Sequence, residues 1–246
     1  MKDSQITNQE KKVHFKGIIK YVYKKVGKAI LDYQMIKEND RILVAVSGGS
    51  DSLSLLKLLN MRKRRIPISF DIIACFIKTN FIDIDEEKII EYFKKEDVPF
   101  LVRELNLERK NLNCFWCSWN RRKILFETAQ MHNCNKVALG HHLDDIVETI
   151  LMNLFFFGEI STMKPKISLF EGKLEIIRPL CYLEKEELRN FAHNLNIPFV
   201  DYNCPYGNDS RRELVKLIIK EVERNCSYAK KNIFRALGRI KKDYLL

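Results

Sequence analysis

Apolar and polar positions divide this chain into segments of two periods. Ile42-Leu43-Val44-Ala45-Val46 is a continuous apolar run, the small polar stretch Ser47-Gly48-Gly49-Ser50-Asp51-Ser52 follows, and Leu53, Leu55, Leu56, Leu58 and Leu59 then recur at helical spacing. This predicts a strand buried on both faces, a tight turn and a helix. Upstream, Phe15 to Tyr33 reads as an amphipathic helix with Ile18, Ile19, Val22, Val26, Ile30 and Leu31 on one side. Residues 1–10 carry no such pattern and are expected to be disordered. Downstream the spacing predicts strands over Phe70–Ile77, Phe100–Arg103 and Lys136–Leu139, and helices over Asp85–Lys95, around Ile124–Ala129, and over Asp144–Phe157. Met163–Leu180 reads as a connection with two short extended pieces, and Glu184–Asn194 as a helix with acids in its first turn. A last helical region opens with Ser210 and Glu213, the spacing of a capping box.

Alternating strands and helices predict an α/β fold, a doubly wound parallel sheet with helical N- and C-terminal additions. We divide it into a basic helical segment (1–34), a central α/β domain (35–200) and a C-terminal segment (201–246). Ligands of such sheets bind beyond the carboxyl ends of the strands. Three stretches with reactive side chains, at Ser47, Cys114 and His141, each follow a predicted strand, so they are expected to meet on one edge.

Composition narrows the class. With 246 residues, 46% of them hydrophobic, the chain can bury a full core. No apolar run approaches the ~18 residues of a membrane span; the longest candidate, at Leu154–Phe157, is broken by Gly158 and Glu159. The N-terminus is polar without a signal-peptide core, which predicts a cytoplasmic protein whose seven cysteines are thiols or metal ligands. The formal charge of +11 is concentrated at the ends: +6 over residues 1–30 and +7 over 211–246, leaving −2 between them. A near-neutral body with basic ends suits a long polyanion.

The turn after the first strand is where the chemistry starts. Gly48 and Gly49 let a ligand approach the main chain, and the helix that follows offers free N–H groups to an anion. It spells neither a Walker A loop nor a dinucleotide fingerprint. Cys114 and Cys117 have metal-ligand spacing, and Cys204 lies beside Pro205. No second C-x-x-C or His pair completes a structural zinc site. Three thiolates would suit a [4Fe–4S] cluster with one open iron, or the first pair would cycle as a dithiol while Cys204 carries sulfur. Cys75, within a strand, reads as core. In Gly140-His141-His142-Leu143-Asp144-Asp145, the aspartates suit Mg2+ better than the histidines do, while Asp144 equally suits a helix N-cap.

The loop Ser47–Ser52 resembles the pyrophosphate-binding PP-loop of enzymes that split ATP into AMP and pyrophosphate. The resemblance broadens when further stretches are read in order: Cys114-x-x-Cys117 with Arg121-Arg122, Ala138–Asp145 with Glu148-Thr149, Met163–Lys166, Arg178-Pro179-Leu180 and Cys204-Pro205-Tyr206. Together they look like the tRNA-cytidine(32) 2-sulfurtransferase family of iron–sulfur PP-loop enzymes, over roughly residues 25–213. This resemblance implies ATP, Mg2+ and a [4Fe–4S] cluster as cofactors. Ser47, Gly48, Gly49, Ser50, Asp51, Ser52, Gly140, His141, Asp144 and Asp145 would bind the nucleotide, with Asp51 beside the magnesium, and Cys114, Cys117 and Cys204 would ligate the cluster. Asp51 and the three cysteines would be the catalytic set. It also implies tRNA as substrate, a sulfur donor such as a cysteine desulfurase or free sulfide, and a homodimer. Ser50 stands where members commonly carry Lys, and Leu143 where Arg is common. The Cys-Pro-Tyr spelling is shared with tRNA 2-thiouridine synthetases; a lysidine-type ligase and a non-catalytic RNA-binding iron–sulfur sensor are the other readings.

Overall fold

The computed structural model describes residues 16–82, 84–107, 114–200 and 210–244, without the side chains of Cys114, Ser210 and Lys242. The expectations for residues 1–10, for Cys204-Pro205-Tyr206 and for a Ser210 cap therefore lie outside the described residues and side chains. Helix α1 (Gly17–Asp32) leads to β1 (Asp40–Val46), α2 (Ser50–Lys63), β2 (Phe70–Thr79), α3 (Glu86–Lys95), β3 (Phe100–Leu105) and α4 (Cys114–Met131). Then come β4 (Lys136–Ala138), α5 (Leu143–Phe157), β5 (Lys166–Leu169), β6 (Leu174–Ile177), α6 (Lys185–Asn194), α7 (Ser210–Asn225) and α8 (Ala229–Ala236).

The six strands form one sheet in the order β3-β2-β1-β4-β6-β5. Its strands show why continuous apolar runs were needed. Along β1, Ile42, Val44 and Val46 enter one core, while Leu43 enters the other; along β2, Ile72, Ala74 and Phe76 alternate in the same way with Ile73, Cys75 and Ile77. Both faces are thus buried, one largely under α1, α2, α3 and α6 and the other under α4. Helix α2 lies deepest, with Leu53, Leu55, Leu56, Leu58 and Leu59 fully buried. The chain winds outward from β1 through β2 to β3, then returns to place β4 on the other side of β1. The order reverses between β1 and β4, and a crevice opens beyond the carboxyl ends of strands at such a switch point.

Three expectations are corrected. The sheet is mostly parallel, but β5 runs antiparallel to β6. Only Phe170, Glu171, Gly172 and Lys173 join these two strands, too few for a crossover, so they must form a hairpin. Cys114 and Cys117 lie in the first turn of α4, on a helix and not in the connection before it. The N-cap of α5 is His142, not Asp144. Arg62, with Lys63 in the last turn of α2, is buried, lies over the Tyr23 ring at 4.2 Å and donates to the Tyr23 carbonyl, fastening α1 to α2.

Candidate active site

The turn between β1 and α2 is built to hold an anion. Gly48 has φ +85°, a conformation that favours glycine, and Gly49 is the N-cap of α2 with no side-chain cap bond. The first-turn amides of α2 therefore point out of the helix without a side chain to satisfy them. The Ser52 hydroxyl ties the turn together: it donates to the Gly49 carbonyl at 3.0 Å and accepts from the Ser47 amide at 3.1 Å. It is buried and engaged within the loop, so it shapes the anion cradle from behind. Ser47 is half-buried, and Ser50 donates to Asp51 Oδ1 at 3.2 Å.

The turn after β4 closes on this loop from across the switch point. A Cβ on Gly140 would stand 3.2 Å from the Ser52 amide nitrogen and 3.3 Å from Ser52 Cα, so a side chain here would push the two turns apart by a few tenths of an ångström. His142 follows, capping α5: its backbone N–H donates to Asp145 Oδ2 at 2.9 Å, and its Nδ1 accepts from the Asp145 amide at 3.4 Å. Its Nε2 reaches across to Asp51 Oδ2 at 3.6 Å. Burial pulls the His142 pKa down, but the Asp51 hydrogen bond and the charges of Asp145, Asp51 and Asp144 outweigh it and leave the group above its ordinary value.

His141 behaves in the opposite way. Arg178, itself buried at the end of β6, donates from Nε to His141 Nδ1 at 3.2 Å. Burial, reinforced by Arg178 and the neighbouring His142 and Arg122, lowers His141 to about 4 against the pull of Asp145. The two adjacent histidines thus have different settings: His141 is held as a neutral acceptor, while the carboxylates around His142 favour its protonated form more than ordinary surroundings would. Burial likewise lowers Arg178 to about 10, which still leaves it charged at neutral pH.

Asp144 also stands beside His142, its Oδ2 3.5 Å from Nδ1, and has further partners. Its carboxylate accepts from the Lys185 amide at 2.8 Å and pairs with Lys230 of α8 at 2.9 Å. Burial raises its pKa, but Lys230, His142 and the Lys185 amide more than compensate and hold it low. Among the sequence-predicted nucleotide residues, Asp51, Asp144 and Asp145 are therefore brought together around His142, and Asp144 is in addition tied to Lys185 and Lys230. Asp51 and Asp145 suit Mg2+, which takes one or two carboxylates together with phosphate oxygens. Among the described residues, no group of three His, Cys, Asp or Glu side chains is placed to hold a metal ion.

Cys117 is half-buried against the core beneath α4, and Cys114 opens that helix three residues earlier. Cys75, Cys134 and Cys181 are buried, with burial raising their thiol pKa values; Cys75 rises to about 11 and Cys181 to about 12, so these are inert core positions. Arg178 was named in the sequence, in Arg178-Pro179-Leu180, but without a role; Lys230 was not singled out, because its partners lie far away in the chain.

Comparison with known proteins agrees with this geometry. Residues 19–222 match the PP-loop domain family. The tRNA-cytidine(32) 2-sulfurtransferase of Geobacter metallireducens is 37% identical over 231 residues, covering 90% of each chain. That of Geotalea uraniireducens is 36% identical, covering 90% of this chain and 92% of its own. Among solved structures, the U34-tRNA thiolase NcsA from Methanococcus maripaludis with its [4Fe-4S] cluster superposes with a TM-score of 0.77 at 26% identity, over 90% of this chain and 79% of its own. An anion-binding turn at the switch point, closed by Gly140 and the His142 cap, thus coincides with these likenesses, and the chain belongs to the PP-loop family and, within it, to the tRNA-cytidine(32) 2-sulfurtransferases.

Proposed function

We propose that the protein thiolates cytidine in tRNA at the expense of ATP, most specifically cytidine 32. The observation that carries this reading is the uncapped N-terminus of α2 packed against Gly140, with Asp51, His142 and Asp145 beside it. A ring carbonyl oxygen is a poor leaving group. In the first step, O2 of the pyrimidine attacks the α-phosphorus of ATP, and the bond to pyrophosphate breaks. The leaving pyrophosphate settles on the amides of Gly49 to Ser52, and Asp51 with Asp145 would hold Mg2+ against its charge. In the second step sulfide sulfur bonds to C2, and AMP departs with the original oxygen.

The chain's own groups prepare both steps. His142, with Nε2 3.6 Å from Asp51 Oδ2 and Nδ1 on the Asp145 amide, orients both aspartates before nucleotide and metal arrive. Neutral His141, held by Arg178, offers its remaining N–H to an oxygen at the switch point. Cys114, Cys117 and Cys204 would hold a [4Fe–4S] cluster; bound there with one iron open, it would supply a coordination position for sulfide. The half-buried setting of Cys117 at the start of α4 fits that donor set, for it keeps a thiolate near the sheet edge without exposing it fully.

A cavity of about 1000 Å3 bounded by α1, the α5–β5 connection and α8 supports the tRNA reading. Lys28, Lys164, Arg235 and Arg239 line it, and it reaches Leu143 at the start of α5, next to His142. Cations around a cavity beside the site suit a polyanion. A cytoplasmic location, a sulfur donor such as a cysteine desulfurase or free sulfide, and a homodimer complete the proposal. No helix among the described residues is long and apolar enough to cross a membrane.

The test is a mass-spectrometric survey of tRNA nucleosides from cells with and without the gene. Loss of 2-thiocytidine, mapped to position 32, is the expected result. Loss of 2-thiouridine would keep the chemistry and change the base, and an unchanged set of thionucleosides would refute the reading.

A further inference from the structure

Helix α4 has two faces of different character. Leu125, Thr128 and Ala129 are buried against the sheet. The opposite side, in the first turns after Cys114, shows Phe115 at 76%, Trp116 at 42% and Trp119 at 45% exposure. Three large aromatic residues within five positions on solvent is a costly arrangement unless something covers them. The two indoles are parallel, with ring centroids 5.3 Å apart and planes inclined by 6°. Lys123, one turn further along, lies over Trp119 at 5.9 Å. Phe126 continues the aromatic surface and meets Phe170 of the β5–β6 hairpin edge-on. Beside Trp119 is a cavity of about 610 Å3, lined in part by Trp119, Arg122, Lys123, Glu127 and Lys173.

We propose that this face of α4 is a stacking platform for unpaired RNA bases, with Arg122, Lys123 and Lys173 taking the adjoining phosphates. The proposal rests on the reading of the substrate as tRNA and adds where an unpaired loop docks. Flat parallel rings edged by cations match single-stranded nucleic acid, in which every base offers a π-face and every linkage a negative charge. A protein partner is disfavoured by the lysines, which are depleted from protein interfaces. Lys123 is held over Trp119 only loosely. Its side chain is 57% exposed, and its contact with Glu127 is 3.9 Å long. A base sliding onto Trp119 would move that ammonium toward the base's own phosphate. The platform and Cys117 lie on different sides of one helix, whose width of about 10–12 Å is all that separates a stacked base from the thiol side.

Trp116 and Trp119 are the chain's two tryptophans, so all its tryptophan emission comes from this pair. The experiment titrates the full-length, cluster-loaded protein with a hairpin RNA carrying an unpaired loop, and separately with a blunt duplex RNA of equal length. The hairpin is expected to quench emission and the duplex to leave it unchanged. By anisotropy of labelled RNA, Trp119→Ala is expected to weaken hairpin binding about 5- to 150-fold, the range of one lost base–aromatic stack, and to leave duplex binding as it was. Trp119→Phe, which retains a ring, should stay within a few-fold of the parent. Hairpin binding without quenching, and equal in Trp119→Ala, would overturn the platform while leaving tRNA as the substrate. Emission that shifts with protein concentration in the absence of RNA, and is lost in Trp119→Ala, would overturn it in favour of self-association. Quenching that persists when cells show no change in thionucleosides would keep the platform and remove the thiolase reading.

Discussion

His141 and His142 are adjacent and respond to acid in opposite directions. For His141 the folded pKa is about 4, depressed chiefly by burial. Between pH 6.5 and about 4 the unfolded chain binds a proton there that the folded chain does not, so stability falls as pH falls through this window. For His142 the folded pKa is raised, so its contribution is fully present below the unfolded value and is lost as pH rises through the folded one. His141→Gln keeps an acceptor for Arg178 Nε and removes the titration. Its expected effect is a shallower loss of stability from pH 6.5 down to 4, while His142→Asn should flatten the opposing slope at higher pH. Urea unfolding at a series of pH values measures both, and an unchanged acid slope in His141→Gln would mean that Arg178 does not hold this imidazole neutral.

At the scale of elements, what was legible was whatever local pattern alone decides. The strand–turn–helix around Ser47 could be read because a fully buried strand needs an unbroken apolar run and an anion turn needs small residues. The β5–β6 hairpin could not be identified as part of the sheet, since each strand has only four residues. The start of α4 was hidden by exposed Phe115, Trp116 and Trp119, which blur the contrast between its faces. Capping preference pointed to Asp144, yet His142 caps α5 because Asp145 at N3 reciprocates its bond. Asp144 was then left for a contact that no local pattern shows. Lys230 of α8 meets Asp144 at 2.9 Å, Glu223 of α7 at 3.2 Å and Glu184, the N-cap of α6, at 3.6 Å. One ammonium therefore joins four helices. Lys230→Met preserves the aliphatic stem and leaves three carboxylates facing one another. It is expected to cost about 2 kcal/mol after solvent screening, whereas Lys216→Met at the exposed Glu213 pair should cost well under 1 kcal/mol. Urea midpoints compare the two, and equal losses would show Lys230 to be an ordinary surface cation.

Across the whole molecule, charge that looks divided in the sequence is gathered in space. Lys25 and Lys28 come from α1, Lys231 and Arg235 from α8, Arg239 from just beyond it and Lys164 from the α5–β5 connection, yet all border the same 1000 Å3 cavity. Several are neutralised in place: Lys25 pairs with Glu187, Lys28 with Asp32 and Lys231 with Glu184. Lys164, Arg235 and Arg239 are thus the better reporters of a polyanion. If tRNA phosphates lie along this wall, replacing all three by Ala should weaken tRNA binding and reduce the slope of log K against log salt by about 2 to 3, since each phosphate contact releases roughly 0.7 to 0.9 counterion. ATP binding without RNA should not change, because none of the three borders the Ser47–Ser52 loop. A measurement at one salt concentration would not separate a lost phosphate contact from a distorted site; the slope does. A weaker complex with an unaltered slope would place the damage in packing, whereas unaltered affinity and slope would make the wall a solvated face and leave α4 to carry the RNA.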